Sequence, residues 1–258
     1  MRQVGRAHPA RAGGRPGAAE MALRPVHRRS VPDEVFDQLL DGIVTGALEP
    51  GAELPSERRL AEELGVSRPT VRAALQRLAH ARLIEVRQGG ATTVRDYRRS
   101  AGLDLLPQLL AGAGEPNLDV VRSVLEVRAD VAPNVARRCA QRREEALLGR
   151  LDAILIRMAA EQGQPASLQR TAHELWDTVV DGTDNLVDRL LFNAVAAAYL
   201  PTLDLLTEVM ADEVGDLDGY QALVAAIREQ EAAAAAAAAE RIVGRGTAHA
   251  MQLLQRLG

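Results

Sequence analysis

The sequence predicts a mainly α protein: an N-terminal winged helix–turn–helix, three helices plus a β-hairpin wing, followed by a C-terminal all-α helical bundle. Three observations carry that expectation. Residues Glu53 to Ala79 hold two short amphipathic stretches separated by a tight turn. Two β-branched runs flanking a glycine pair follow between residues 83 and 94. Beyond Val94 apolar residues recur at helical spacing and no convincing strand remains.

In chain order, residues 1–29 are rich in Arg, Gly, Pro and Ala without periodicity and read as a disordered tail. A basic arm touching DNA and an over-extended start, with Met21 as the first residue, are the readings beside it. Order is expected from Ser30, where Ser30-Val-Pro-Asp33 resembles a capping box; Val35, Phe36, Leu39, Leu40 and Ile43 stripe a first helix that Gly46 ends. Ser56 is placed to cap the second helix and Gly65 to end it in a left-handed conformation. Ser67 is placed to cap the third, with Pro69 in its first turn. Leu60, Ala61 and Leu64, then Val71, Ala74, Leu75 and Leu78, form the inner faces. Arg68, Thr70, Arg72 and Gln76 are left outward. Leu83 to Arg87 and Thr92 to Val94 read as the strands of a wing around Gln88-Gly89-Gly90-Ala91.

The second half begins with a stripe of Leu103, Leu106, Leu109 and Leu110, broken at Gly112 to Pro116. Helices are expected over Val120–Arg143, with a bend near Pro133, and over Glu144–Glu161 and Leu168–Val180. Further helices are expected over Leu186–Val209, with a kink at Pro201, then Leu217–Val243 and Ala248–Leu257. The total is a bundle of six or seven helices. Ala194 to Ala198 leaves small side chains on a core helix, compatible with an internal cavity or with close packing. The alanine run 232–239 is a strong helix former with no chemistry of its own.

Charge divides along the chain. Residues 1–100 hold 17 arginines against 12 acidic residues, net +5, and residues 101–258 come to −9. A basic helix–turn–helix half suits phosphate binding. No apolar run reaches the length of a membrane span, and no secretory signal is evident. The single cysteine, Cys139, excludes an internal disulfide. Together these point to an intracellular, cytoplasmic protein. Catalytic sets are lacking too: there is no Ser/His/Asp order with known spacing, no phosphate-binding glycine loop and no paired-histidine helix motif. The chain is therefore not expected to be an enzyme.

Four segments together resemble the GntR family of bacterial regulators: Leu54-Pro-Ser-Glu-Arg58, Leu64-Gly-Val-Ser-Arg68, Thr70-Val-Arg72 and Arg87-Gln-Gly-Gly90. The match covers about residues 31–96. It implies that Arg58, Arg68, Thr70 and Arg72 contact phosphates and bases, with Ser67 at the helix start. It places the wing tip, Gln88-Gly89, in the minor groove. Arginine chemistry suits this, because its fork can take two acceptors on one guanine edge. Arg59, Arg77 and Arg82 are expected to be solvated or paired with Glu62, Glu63 or Glu85.

Past the wing, four more segments resemble the FadR group of that family in order: Ala101-Gly-Leu-Asp-Leu-Leu106, Val124-Leu-Glu-Val-Arg128, Asp181-Gly-Thr-Asp-Asn185 and Leu191 to Tyr199. The resemblance implies an effector-binding and dimerisation domain over 98–258, after a winged domain over 30–97. It gives Arg128, Trp176, Asn185 and Tyr199 as candidate effector contacts. Many group members hold a metal on an aspartate and three histidines. Here those positions fall at Ala172, Trp176, Tyr220 and Ile242, so no metal is expected. The member that gives the group its name also lacks the metal set and answers to long-chain fatty acyl-CoA. The implied function is a homodimeric regulator binding a palindromic operator on double-stranded DNA, controlling fatty-acid genes with acyl-CoA as effector; the alternatives are another small-acid or metal-assisted effector, or no effector at all.

Overall fold

The computed structural model describes residues 30–87, 91–111, 117–200, 207 and 209–257. The tail 1–29, the wing-tip residues Gln88 and Gly89, the Gly112–Pro116 break and the Pro201 kink lie outside the described residues.

Local signals set the N-terminal helices. In α1 (Val31–Val44) the Asp33 carboxylate accepts from the Ser30 N–H at 3.1 Å and the Ser30 Oγ–H at 2.6 Å. In α2 (Glu57–Leu64) Ser56 accepts from the Arg59 N–H, and Gly65 closes the helix at φ 64°, a conformation cheap only for glycine. Ser67 accepts from the Thr70 N–H at the start of α3 (Arg68–His80), with Pro69 in its first turn. Strands β1 (Ile84–Val86) and β2 (Thr92–Val94) pair antiparallel with Ile84 opposite Val94. The other edge of β2 is also held. Gly51 and Leu54 donate to the Val94 and Thr92 carbonyls, and the Val94 N–H donates to Ala52, each at 2.8–2.9 Å. The wing is thus stitched to the segment leading into α2. Inside, Val35, Phe36, Val71, Leu78, Leu83 and Val94 form one core.

That core extends past the wing. After α4 (Tyr97–Ser100) comes a 3₁₀ turn, Leu103–Leu105, and then α5 (Leu106–Ala111). The expected stripe starting at Leu103 is corrected here: Leu103 is 51% exposed, whereas Leu105 is 2% exposed and sits in the winged-helix core, with Leu109 packed against it. A 3₁₀ turn has three residues per turn, so the α-helical phase counted from Leu103 is lost.

The bundle is built from α6 (Leu118–Arg142), α7 (Glu145–Ala160), α8 (Pro165–Asp181), α9 (Leu186–Tyr199), α10 (Ala211–Val214), α11 (Leu217–Arg228) and α12 (Ala232–Leu257). Pro133 lies within α6. The expected six or seven helices become nine after the wing among the described residues, because α4 and α10 are single turns too short for periodicity to reveal. The expected helix over Leu217–Val243 is two helices, separated where Gln230 takes φ 58°. The expected start of a last helix at Ala248 is also corrected. Chain from Ala232 to Leu257 is one helix running through Gly244 and Gly246.

Its longest packed seam joins α6 and α12. Ala132, Ala136 and Ala140 on α6 and Ala235, Ala238 and Ala239 on α12 are all buried. Small side chains let two long helices approach closely and still fill space. One face of the alanine run is therefore packing surface, while Ala233, Ala234 and Ala237 face solvent. On α9, Ala196 and Ala198 are buried and Ala197 is exposed.

Candidate nucleic-acid interface and effector site

The outward face of α3 follows from its caps. Ser67 and Thr70 hydroxyls lie 2.8 Å apart at the helix start, where backbone N–H groups face outward and favour anions. Arg68, Arg72 and Gln76, four residues apart, form one exposed row. Arg72 is held from α2: its Nε and Nη2 donate to the two Glu57 oxygens at 3.0 and 2.6 Å. The hydrogen bonds from Arg72 hold the Glu57 carboxyl below the usual range, with Arg68 adding its charge. Arg68 makes no ion pair among the described residues. Arg58 donates to Glu62 at 2.9 Å on the exposed face of α2. Arg59 pairs with Glu63, as the sequence suggested, while Arg77 pairs with Asp33 and lies over the Phe36 ring. Arg82 turns the chain after α3 with φ 60°.

The second site lies inside the bundle. Arg128 on α6 makes a two-pronged pair with Glu213 on α10: Nη1 donates to Oε2 at 2.9 Å, and Nη2 donates to Oε1. Glu213 is 1% exposed. Burial pushes its carboxyl up against the pull of Arg128; the guanidinium loses solvation too, yet Glu213 holds its charged form more firmly than in water. Gly246 on α12 lies directly beneath, and a Cβ there would collide with the Glu213 carboxylate. The Tyr220 hydroxyl, buried within electrostatic reach of the pair, faces the Trp176 indole nitrogen, and neither has a partner beyond the other. Thr247 Oγ, on the next position of α12, is also buried without a partner. Tyr199, pushed up to about 12 by burial, feels both charges. Its hydroxyl is 2.6 Å from His173 Nδ1, and His173 stacks on Phe192.

Of the four candidate effector contacts, Arg128 pairs with Glu213, Tyr199 feels both charges, and Trp176 lies behind Tyr220 beside them. Asn185 has another role. It caps α9, its Oδ1 accepting from the Val187 and Asp188 N–H groups. Ala172, Trp176, Tyr220 and Ile242 supply no aspartate or histidine, and among the described residues no three metal-ligating side chains converge. The donor set does not fit a metal of the kind the group carries.

Comparison with known proteins bears on both sites. "Bacterial regulatory proteins, gntR family" matches residues 32–94, and the FCD domain matches residues 123–245. The chain is 52% identical over 207 residues to the HTH-type transcriptional regulator Mce2R of Mycobacterium tuberculosis, covering 80% of this chain and 86% of that protein. This chain belongs to the GntR family. It is a DNA-binding transcription regulator with a helical FCD effector domain, a family of regulators and not of enzymes. Over 95 residues, 37% of this chain and 34% of the other, it is 34% identical to the fatty acid metabolism regulator protein of Vibrio cholerae. A solved structure of Lar, which controls the Listeria monocytogenes agr system, matches with a TM-score of 0.56 at 15% identity. That match covers 88% of this chain and 100% of that one, and it shows the shared fold. No helix among the described residues of this GntR-family chain is long and apolar enough to cross a membrane.

Sequence reasoning missed Glu213, Gly246 and Thr247 as members of the inner site. Glu213 stands 85 positions from Arg128 in an acidic stretch, and nothing local marks it as buried. Gly246 falls in the expected gap between two helices, so its close approach to Glu213 was hidden as well.

Proposed function

We propose that this GntR-family regulator acts in the bacterial cytoplasm as a homodimer on a palindromic operator and is switched by a small molecule held in the bundle. The observation that carries the reading is the exposed row of Arg68, Arg72 and Gln76 on α3, beside a wing pinned along both edges of β2. One such module spans too few bases for genomic specificity, and twofold pairing doubles the site. Arg58, Ser67 and Thr70 would fix phosphates, Arg68 and Arg72 would read bases, and Gln88-Gly89 would reach the minor groove. A route for switching also exists. Helix α9 packs on α5 and the 3₁₀ turn at one side and on α8 at the other. It therefore joins the Trp176 helix to the segment whose Leu105 lies in the DNA-binding core.

Two effector classes follow. Acyl-CoA, with control of fatty-acid genes, is supported by the FadR-group resemblance and by the Vibrio relative, whose likeness covers 37% of this chain. A small organic acid is supported by the partly buried Arg128 guanidinium, whose carboxylate partner is almost fully buried. An effector shifts the equilibrium only if it favours one geometry of the dimer. Band shift on a palindromic operator, with a panel of acyl-CoAs and organic acids, tests both. Sequence-specific retardation by the wild type and its loss in Arg72→Ala are expected. Retardation untouched by Arg72→Ala sinks the assigned interface, and retardation unchanged across the acyl-CoA series sinks that effector class.

A further inference from the structure

We propose that the Arg128–Glu213 pair is a carboxylate-binding site that the chain fills with its own side chain, and that a carboxylate effector enters by displacing Glu213. The inference rests on the bundle being the effector site and names what it binds and how it is held closed. Four observations lead there. First, a buried guanidinium is costly without a partner, and its planar fork matches a carboxylate in two-pronged geometry. Glu213 meets it in that way, through both oxygens. Second, Glu213 arrives on α10, a four-residue helix bounded by Gly215, whereas Arg128 sits in the 25-residue α6. The acid is on a single helical turn and the base on a long helix packed along α12.

Third, the neighbours are over-supplied with polar groups. Tyr220 is fully buried and its hydroxyl meets only the Trp176 indole N–H, neither having a partner beyond the other. Buried polar groups are normally satisfied, so two groups left with only each other beside an ion pair leave capacity for a ligand that brings further acceptors. Fourth, space is reserved on the floor and outside. Gly246 gives Glu213 room that a Cβ would remove, and an open cleft of about 440 Å³ lies against α10, lined by Gln162, Asp212, Asp216 and Arg245. Glu213 thus stands where an acidic ligand would, and its withdrawal towards that cleft would free Arg128.

The test uses the full chain and no DNA, so its outcome is independent of the operator assay. Glu213→Ala removes the internal carboxylate. Its melting temperature is expected to fall by roughly 10 °C, as for a broken buried pair in a domain of this size. Tens of millimolar acetate, propionate or butyrate should restore about half of that loss, against sodium chloride at equal ionic strength. Arg128→Met added to Glu213→Ala should abolish the rescue. Glu213→Gln, close in size, serves if the alanine variant fails to fold. By calorimetry it should bind propionate at least about tenfold more tightly than the wild type, since no internal carboxylate competes. Rescue no larger than chloride gives, or rescue that survives loss of Arg128, overturns the proposal. Equal propionate affinity in Glu213→Gln and the wild type overturns it as well.

Discussion

The two halves of this regulator share one chemical pair, arginine with a carboxylate, but only the bundle also buries it. Around α2 and α3 the pairs lie at the surface: the Arg72 side chain is 57% exposed beside Glu57, and Arg58 is 70% exposed beside Glu62. The bundle has exposed pairs of the same kind, such as Arg157 with Glu174, and beside them it seals two acids, Glu213 at 2% and Asp188 at 9% side-chain exposure, opposite Arg128 and Arg138. Exposed pairs contribute about 0–1 kcal/mol and can be exchanged for another partner at little cost. Buried pairs, once broken, leave a charge in apolar surroundings and cost about 3–5 kcal/mol. A surface arginine is therefore free to trade its glutamate for a phosphate or a base. A buried one trades only for a ligand that restores its geometry.

The sharpest way to break this contrast is in the bundle. Arg138→Ala strands Asp188, which now receives two hydrogen bonds at 2.6–2.7 Å. A loss of about 2–3 kcal/mol is expected in denaturant titration, somewhat below the fully buried case because Arg138 keeps some solvent contact. An unchanged midpoint would remove the distinction between the halves. Gly246→Ala comes next. Its methyl meets the Glu213 carboxylate, and a destabilisation of about 1–3 kcal/mol is expected in the same measurement.

In the DNA-binding half the effect should move from stability to affinity. Arg68→Ala should lower operator affinity by about 1–3 kcal/mol while leaving the melting temperature within a degree or two. A melting temperature that drops with the affinity would mean that the residue holds the fold. Smallest of all is a pH effect at the α8–α9 contact. Burial lowers the His173 pKa, opposed by Asp177, with Arg189 lowering it and Glu174 raising it. The unfolded chain then takes up the proton first, so stability is lost as pH falls through about 6.5. Acidification from pH 7.5 to 5.5 should lower the wild-type melting temperature about 1–3 °C more than that of His173→Gln. Equal shifts would show that this contact does not titrate. Glu213 titrates in the other sense, and the difference between the two proteins cancels it.

What could be read from sequence was what is decided locally. Ser56, Gly65, Ser67 and Pro69 each act on backbone within three residues, and the helix–turn–helix emerged from them with its outward face intact. What is decided at a distance was hidden. The left-handed Gln230 interrupts an apolar pattern that keeps helical spacing on both sides, so Leu217–Val243 looked continuous. Gly244 and Gly246 looked like a helix end, yet one of them is there because α10 presses against it. In the candidate inner site, Arg128, Trp176 and Tyr199 were named through resemblance. Their buried partner, Glu213, depends on a contact across 85 residues.

Leu105 sets where this protein can be cut and rejoined. Its side chain belongs to the core of the DNA-reading module, although it comes after the last strand and past residue 97, where the module was expected to end. A hybrid regulator joined at that residue would leave a leucine-sized hole beneath the wing and strip α9 of the surface it rests on. A junction placed after Leu109 carries the plug along with the module and keeps the seat on which α9 rests.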